Sequence, residues 1–240
     1  MNLITETAAW LTDPAQWSGP GDIPQRLLEH LGLSALSLLA ALAIALPAGL
    51  FIGHTRRGTA LAANLANIGR AIPSLAVIGI VLPFTAAIDP QLGFKVYPTL
   101  VAMVILAIPP ILVNAEAGVI GVDRDLVESA RAMGMREAQV LRSVEIPVAL
   151  PVILTGIRSA ATQIVATMTL GAIFGSGGLG RFLVEGIAQN DDGKIFGGVV
   201  LVASLALVTE AVFAVLQRAG TSAGLRRPEP NRRAIPSVVT

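Results

Sequence analysis

An all-α, polytopic membrane helix bundle of about five spans is the fold class this sequence predicts, on three observations. Hydrophobic residues make up 53% of the 240 positions and charged ones only 14%, with a mean hydropathy of +0.71. Soluble chains stay near about 45–50% apolar even when glycine is counted, and glycine is left out here. The charges also gather in a few windows, separated by uncharged stretches of the ~20 residues that a bilayer core demands.

The elements follow in order. Residues 1–30 carry Glu6, Asp13, Asp22, Trp10 and Trp17 but no basic region leading into an apolar one, so no cleavable signal peptide is expected. They are read as an N-terminal segment outside the membrane. Span one, Leu31–Gly53, is free of charge and ends in His54-Thr55-Arg56-Arg57. The second apolar region, 59–88, is interrupted by Arg70-Ala71-Ile72-Pro73, which predicts a kink or break, because proline removes a helix hydrogen bond. Span three covers 96–115 and carries Pro109-Pro110. A charged segment, 116–147, separates it from span four at about 148–174. Glycines at 175, 177, 178 and 180 then lead through a short amphipathic stretch to span five, about 196–216. The membrane domain is thus 31–217, and the Arg-rich tail 218–240, with three prolines and no apolar period, is expected to be disordered.

Orientation comes from the arginines. Five crossings put Arg56, Arg57, Arg124, Arg131, Arg136, Arg142, Arg218, Arg226, Arg227, Arg232 and Arg233 on one side. Arg26, Lys95, Arg181 and Lys194 fall on the other. Because cytoplasmic loops are enriched in Lys and Arg, the first set is predicted to be cytoplasmic, with the N-terminus outside and the C-terminus inside.

Several chemistries are excluded or unsupported. Cysteine is absent, so disulfides, thiolate metal sites and cysteine nucleophiles are out. There are two histidines, His30 and His54, flanking one span, too few for a metal cluster on their own. No Walker A sequence, HExxH spacing or Ser/His/Asp set occurs, and no cofactor is expected. A basic stripe with interleaved aromatics is likewise missing, so no nucleic-acid partner is expected.

The segment 116–147 carries the most information. Asp125 followed by Glu128 has the spacing of a helix-capping pair. Leu126, Val127, Ala130 and Met133 recur at helical spacing, and Gly134 is suited to end the helix in the left-handed conformation. A second short helix is predicted from near Arg136, presenting Val140, Leu141 and Val144 and closed by Pro147. The expected product is two short helices bent at a glycine, with apolar residues exposed on the cytoplasmic side. An amphipathic interfacial loop with a glycine cap fits the same residues.

Polar residues inside the spans are the other candidates. A charge within a span is costly unless it is paired or reaches water. Arg158 is expected to pair with Glu210 or with Glu116, fixing helix packing or serving a gate. Arg70 beside Pro73 is expected to line a cavity, since broken helices are tolerated there and not in lipid. Pro109-Pro110 reads as a kink, and Asn114 as a hydrogen-bonding partner for a neighbouring helix.

Glu128-Ser129-Ala130, three residues, Gly134, nine residues, then Val144-Glu145-Ile146-Pro147 resembles the EAA loop of type I ABC importer permeases. There the pattern is Glu-Ala-Ala, three residues, Gly, nine residues, Ile-x-Leu-Pro. Further stretches are similar to the osmoprotectant branch of that family, the glycine betaine/carnitine/choline permeases. They are 70–76 (Arg-Ala-Ile-Pro-Ser-Leu-Ala), 108–114 (Ile-Pro-Pro-Ile-Leu-Val-Asn), 156–160 (Gly-Ile-Arg-Ser-Ala) and Gly177-Gly178-Leu179-Gly180. One departure is Ala115-Glu116, where the branch carries Thr and then an aromatic or apolar residue.

The resemblance implies a methionine-permease-like bundle that forms a translocation pathway and catalyses nothing itself. It implies that Glu128, Ser129, Ala130, Arg131, Met133, Gly134 and Met135 dock on a separate ABC ATPase subunit, present in two copies. Arg70, Pro73, Ser74, Pro109, Pro110, Asn114, Arg158 and Glu210 would serve the pathway or its helix packing. The other implied partners are a second permease subunit, identical or paralogous, an external substrate-binding protein, and membrane lipid. A permease for methionine or another small nutrient is the alternative within the class. An ATP-independent secondary transporter would show mid-membrane acidic clusters or an inverted repeat, and neither is visible.

Overall fold

The computed structural model describes residues 2–220, apart from the side chains of Leu61, Leu65, Ala66 and Arg70. Every described element is helical. Helix α1 (Leu3–Thr12) is followed by α2 (Ile23–Thr55), α3 (Thr59–Ala71), α4 (Ser74–Ile88), the single turn α5 (Leu92–Lys95) and α6 (Tyr97–Ile120). Then come α7 (Arg124–Ala132), α8 (Glu137–Val140), α9 (Ile146–Thr167), α10 (Gly180–Gln189) and α11 (Asp192–Gly220). Four helical stretches are long and apolar enough to cross a membrane, and α3 with α4 supplies a fifth if the pair counts as one span. Those two are bent by 99° across Ile72-Pro73, where the sequence predicts a break.

The centre of the bundle is α6, held between α2 and α9. Ser34, Ser37, Ala41, Ala45, Gly49 and Gly53 are the buried face of α2, three or four residues apart. Small side chains let the helix backbones approach, which is how helices associate where lipid is as apolar as leucine. A Cβ at Gly49 would sit 2.7 Å from the Leu112 carbonyl and 2.8 Å from Ala115 Cβ. Across the other side of α6, a Cβ at Gly156 would lie 2.5 Å from Asn114 Cβ and 2.6 Å from the Pro110 carbonyl. Ile78, Met103, Ile111, Ile164 and Met168 fill the core between these contacts.

Three boundaries differ from the sequence-based expectation. Helix α2 starts at Ile23, well before the uncharged run, because Asp22 caps it by accepting the Gln25 N–H (2.8 Å) and Pro24 suits the first turn. The first dozen residues are not a bare extension: α1 packs along α11, with Trp10 buried edge-on against Phe182 at a ring separation of 5.1 Å. Helix α6 runs through Glu116 to Ile120, so the segment between spans is shorter than 116–147. Pro109 and Pro110 lie inside this helix, within the span where the sequence places them. Beyond Gly220, the tail lies outside the described residues.

Candidate functional site

The segment joining α6 to α9 forms a stapled elbow at one end of the bundle. Its cap is Asp123, whose side chain accepts the Asp125 N–H at 2.9 Å, not Asp125 as the Asp-x-x-Glu spacing predicts. Val122 is anchored in the core directly after α6 ends, so the chain turns into α7 at once. At the far end of α7, Met133 closes the last turn and Gly134 takes φ +84°. The Gly134 N–H donates to the Arg131 carbonyl (2.9 Å) and the Met135 N–H to the Ala130 carbonyl (3.2 Å). This pair of bonds is the Schellman arrangement, which satisfies the last carbonyls of a helix and needs a left-handed residue.

Side chains then lock the two halves together. Arg131 donates to both Glu137 carboxylate oxygens, from Nε and Nη2, at 2.9 Å each. Gln139 accepts the Arg136 N–H at 2.8 Å. His54, at the end of α2, reaches both Glu145 (Nδ1, 2.5 Å) and Glu137 (Nε2, 3.2 Å). The elbow is thereby tied to α2 as well as to the helices it joins. Glu128 and Arg131 line a polar cavity of about 340 Å³ with His54, Arg56, Arg124 and Glu145.

Two expectations about this segment are corrected. Val127, Ala130 and Val140 do not face outward; they are buried with Val119, Val122, Ala149 and Ile153. Leu126 and Met133, at 46% and 77% exposure, are the apolar side chains the elbow presents, beside the exposed Glu128 and Ser129. Pro147 does not close the second helix either. From α8 the chain passes through a π-helical turn, Leu141–Glu145, straight into α9, where Pro147 occupies the first turn. The proline, which has no N–H to give, follows the point where the Ile146 N–H bonds back five residues to the Leu141 carbonyl, so the π turn displaces the regular ladder next to it.

A second site lies where α3 breaks into α4. Ser74, Pro109 and Pro110 share a cavity of about 260 Å³ with Gly69, Ile72, Leu106, Gln163 and Thr167. The structure thus brings three of the predicted pathway residues together and adds Gln163 and Thr167 from α9. Pro73 caps α4, while the Arg70 side chain lies outside the description. Asn114 donates to the Pro110 carbonyl of its own helix at 2.8 Å rather than to a neighbour.

Arg158 pairs with Glu210 and not with Glu116. Its Nε donates at 2.7 Å and its Nη2 donates to the same oxygen. Thr162 donates to the other Glu210 oxygen (3.0 Å), and Gln217 joins Arg158 to Thr155 and the Pro151 carbonyl. The result is a polar strip between α9 and α11.

Sequence reasoning missed the roles of both histidines. His30 is fully buried, accepts the Leu179 N–H at Nδ1 (3.3 Å) and meets the Val165 carbonyl at Nε2 (3.0 Å). Its signal was present only as a histidine next to an uncharged run; its partners lie more than a hundred residues away.

Comparison with known proteins agrees with this architecture. The family described as binding-protein-dependent transport system inner membrane component matches residues 45–220. The choline transport system permease protein OpuBB of Bacillus subtilis is 33% identical, covering 86% of this chain and 92% of its own. The carnitine transport permease protein OpuCB of Listeria monocytogenes is 34% identical, covering 82% and 88%. The osmoprotectant import permease protein OsmW of Salmonella typhimurium is 32% identical, covering 86% and 95%. Among solved structures, an inward-facing form of the MetNI methionine ABC transporter superposes with a TM-score of 0.74 at 25% identity. It covers 88% of this chain and all of that one.

Proposed function

This chain belongs to the family of binding-protein-dependent transport system inner membrane components, and from that membership we propose how it works as the permease subunit of an osmoprotectant ABC importer. The cargo is a small osmolyte such as glycine betaine, choline or carnitine. Relatives named for choline and carnitine transport, above 30% identity over more than four fifths of the chain, support that cargo. The likeness to a methionine transporter is one of fold and carries no substrate with it.

The observation that carries the mechanism is the rigid elbow. A force transmitter must be stiff, and this one is fixed by a Schellman turn, a two-pronged Arg131–Glu137 bond and the His54 link to α2. It must also present a surface to a partner, and Leu126, Met133, Glu128 and Ser129 are exposed on it. In our reading these residues, with Ala130 and Gly134 shaping the turn, seat in a groove of a separate ATPase subunit. Two ATPase copies serve two permease subunits, identical or paralogous, and an external binding protein delivers the solute. Closure of the ATPase dimer on ATP moves the elbow. Because only residues 121–123 separate α6 from α7, with Val122 buried between them, and α8 runs through the π turn into α9, the motion passes into the two helices that flank the broken-helix cavity. Ser74, Pro109, Pro110, Gln163 and Thr167, with Arg70 and Pro73 at the break, form part of the solute path. The elbow end is cytoplasmic and the N-terminus external, as the arginine distribution supports.

The test is uptake. The chain is expressed with its ATPase and binding protein in a strain without osmolyte import, and labelled betaine, choline, carnitine and methionine are offered at high osmolarity. Accumulation of at least one of the first three, dependent on ATP, is expected. Accumulation of methionine alone would overturn the reading.

A further inference from the structure

At the end of the bundle opposite the elbow, the first turns of α2, the α5–α6 junction and the glycine turn before α10 enclose an open groove of about 800 Å³. Arg26, Glu29, Lys95 and Arg181 line it together with Leu33 and Leu36. The two halves of the groove differ in chemistry, and they are ordered along α2.

The polar half carries excess positive charge. Glu29 is already engaged, accepting the Gly178 N–H at 2.9 Å and Arg26 Nη1 at 3.0 Å. Glu185, just behind, accepts from Arg181 and from Lys194, each at 2.9 Å. Among the residues that line the groove, three cations, Arg26, Lys95 and Arg181, face one carboxylate, Glu29. Lys95 is exposed and has no ion pair among the described residues, and the Arg26 Nε is buried without a hydrogen-bond partner. The apolar half follows directly: Leu33 is half-buried and Leu36 is 52% exposed. From Arg26 to Leu36 the groove runs ~15 Å along the helix axis. Since the uncharged stretch of α2 begins at Leu31, the cations stand at headgroup depth and the leucines within the hydrocarbon.

A small solute anion would use the cations and leave the leucines unmatched. A phospholipid uses both. We infer that this groove holds an anionic phospholipid, its phosphate between Lys95, Arg26 and Arg181 and one acyl chain lying along Leu33 and Leu36. Basic pockets between membrane helices on the cytoplasmic side hold anionic headgroups by the same charge pairing, and the chemistry is the same in either leaflet. The site requires only that the helices span a bilayer, so it stands or falls separately from the identity of the transported solute.

Native mass spectrometry tests it on the full chain, purified from membranes with the subunits that accompany it, stripped of lipid in mild detergent and offered phosphatidylglycerol or phosphatidylcholine with the same acyl chains. Phosphatidylglycerol should be retained in preference, and Lys95→Gln and Arg181→Gln should each weaken its retention about five-fold. Lys95 makes no side-chain hydrogen bond or ion pair among the described residues, and glutamine keeps most of its length, so a loss of lipid by Lys95→Gln cannot be put down to a broken polar link. Leu36→Asn should also reduce retention, and soluble glycerol phosphate should fail to compete, which separates a lipid site from a simple anion site. Equal retention of the two lipids, full competition by glycerol phosphate, or undiminished retention when Lys95→Gln and Arg181→Gln are combined would overturn the inference. So would efficient disulfide formation between cysteines placed at position 36 of two copies in native membranes, because a second chain would then fill the groove.

Discussion

Gly134 has φ +84° and nothing within 4 Å of where a Cβ would be, so it is required for its backbone and not for space. An L-residue in that conformation is destabilised by about 1–2 kcal/mol, and a β-branched one more strongly. Gly134→Ala should therefore leave a weakened elbow and partial uptake, whereas Gly134→Val should abolish uptake while the amount of chain in the membrane stays unchanged. Both are read from transport and membrane-fraction blots, and full uptake by the valine variant would refute the role. This residue was legible beforehand because a lone glycine between two charged half-helices has few other uses. The cap was not. Asp125 with Glu128 fits the capping signature, but Asp123 takes the position because buried Val122 fixes where the chain must turn. Burial decides between two local signals of similar strength, and burial is not written in the local sequence.

Between elements, the polar strip joining α9 to α11 rests on Arg158 and Glu210. Reversing either charge alone places two like charges side by side within the spans, so Arg158→Glu and Glu210→Arg should each lose transport. The double swap should recover a substantial part of it, since both partners remain and only their positions exchange. Uptake in the three variants is the measurement, and no recovery in the double would show that the pair does more than hold the helices.

Glu185 makes a different link, joining α10 to the first turn of α11 through Lys194. Burial alone would raise its carboxyl, but hydrogen bonds from Lys194 and Arg181 outweigh that and hold it below the ordinary value. A carboxylate depressed by folding stabilises above its unfolded pKa, about 4.3, and that stability is lost as pH falls through the lower folded value. The protection of α10 amides, the observed exchange rate set against the intrinsic rate at each pH, should thus hold from neutral pH down to about 4.5 and fall below it, a dependence that Glu185→Gln should remove. The spans were legible from their apolar runs, and the break at Pro73 from a single proline in a charged context. Pairings such as His54 with Glu145 or His30 with Leu179 were not, because they join residues 91 and 149 positions apart and no periodicity connects them.

For the whole molecule, the elbow and the cationic groove sit at opposite ends of the same three helices, so one determination of sidedness tests how both are used. In the orientation we propose from the arginine distribution, the elbow is cytoplasmic, where an ATPase could reach it, and the groove lies in the outer leaflet. The absence of cysteine makes this simple to check, since any thiol introduced is the sole one present. Met133 is 77% exposed on the elbow, and Asn190 lies at the turn between α10 and α11 on the far side. In intact cells a membrane-impermeant maleimide should label Asn190→Cys and leave Met133→Cys untouched until the membrane is opened. The reverse pattern would put the elbow outside, beyond the reach of any nucleotide-driven partner, and the coupling role would fail even though the bundle, its broken helix and its packing stayed as they are.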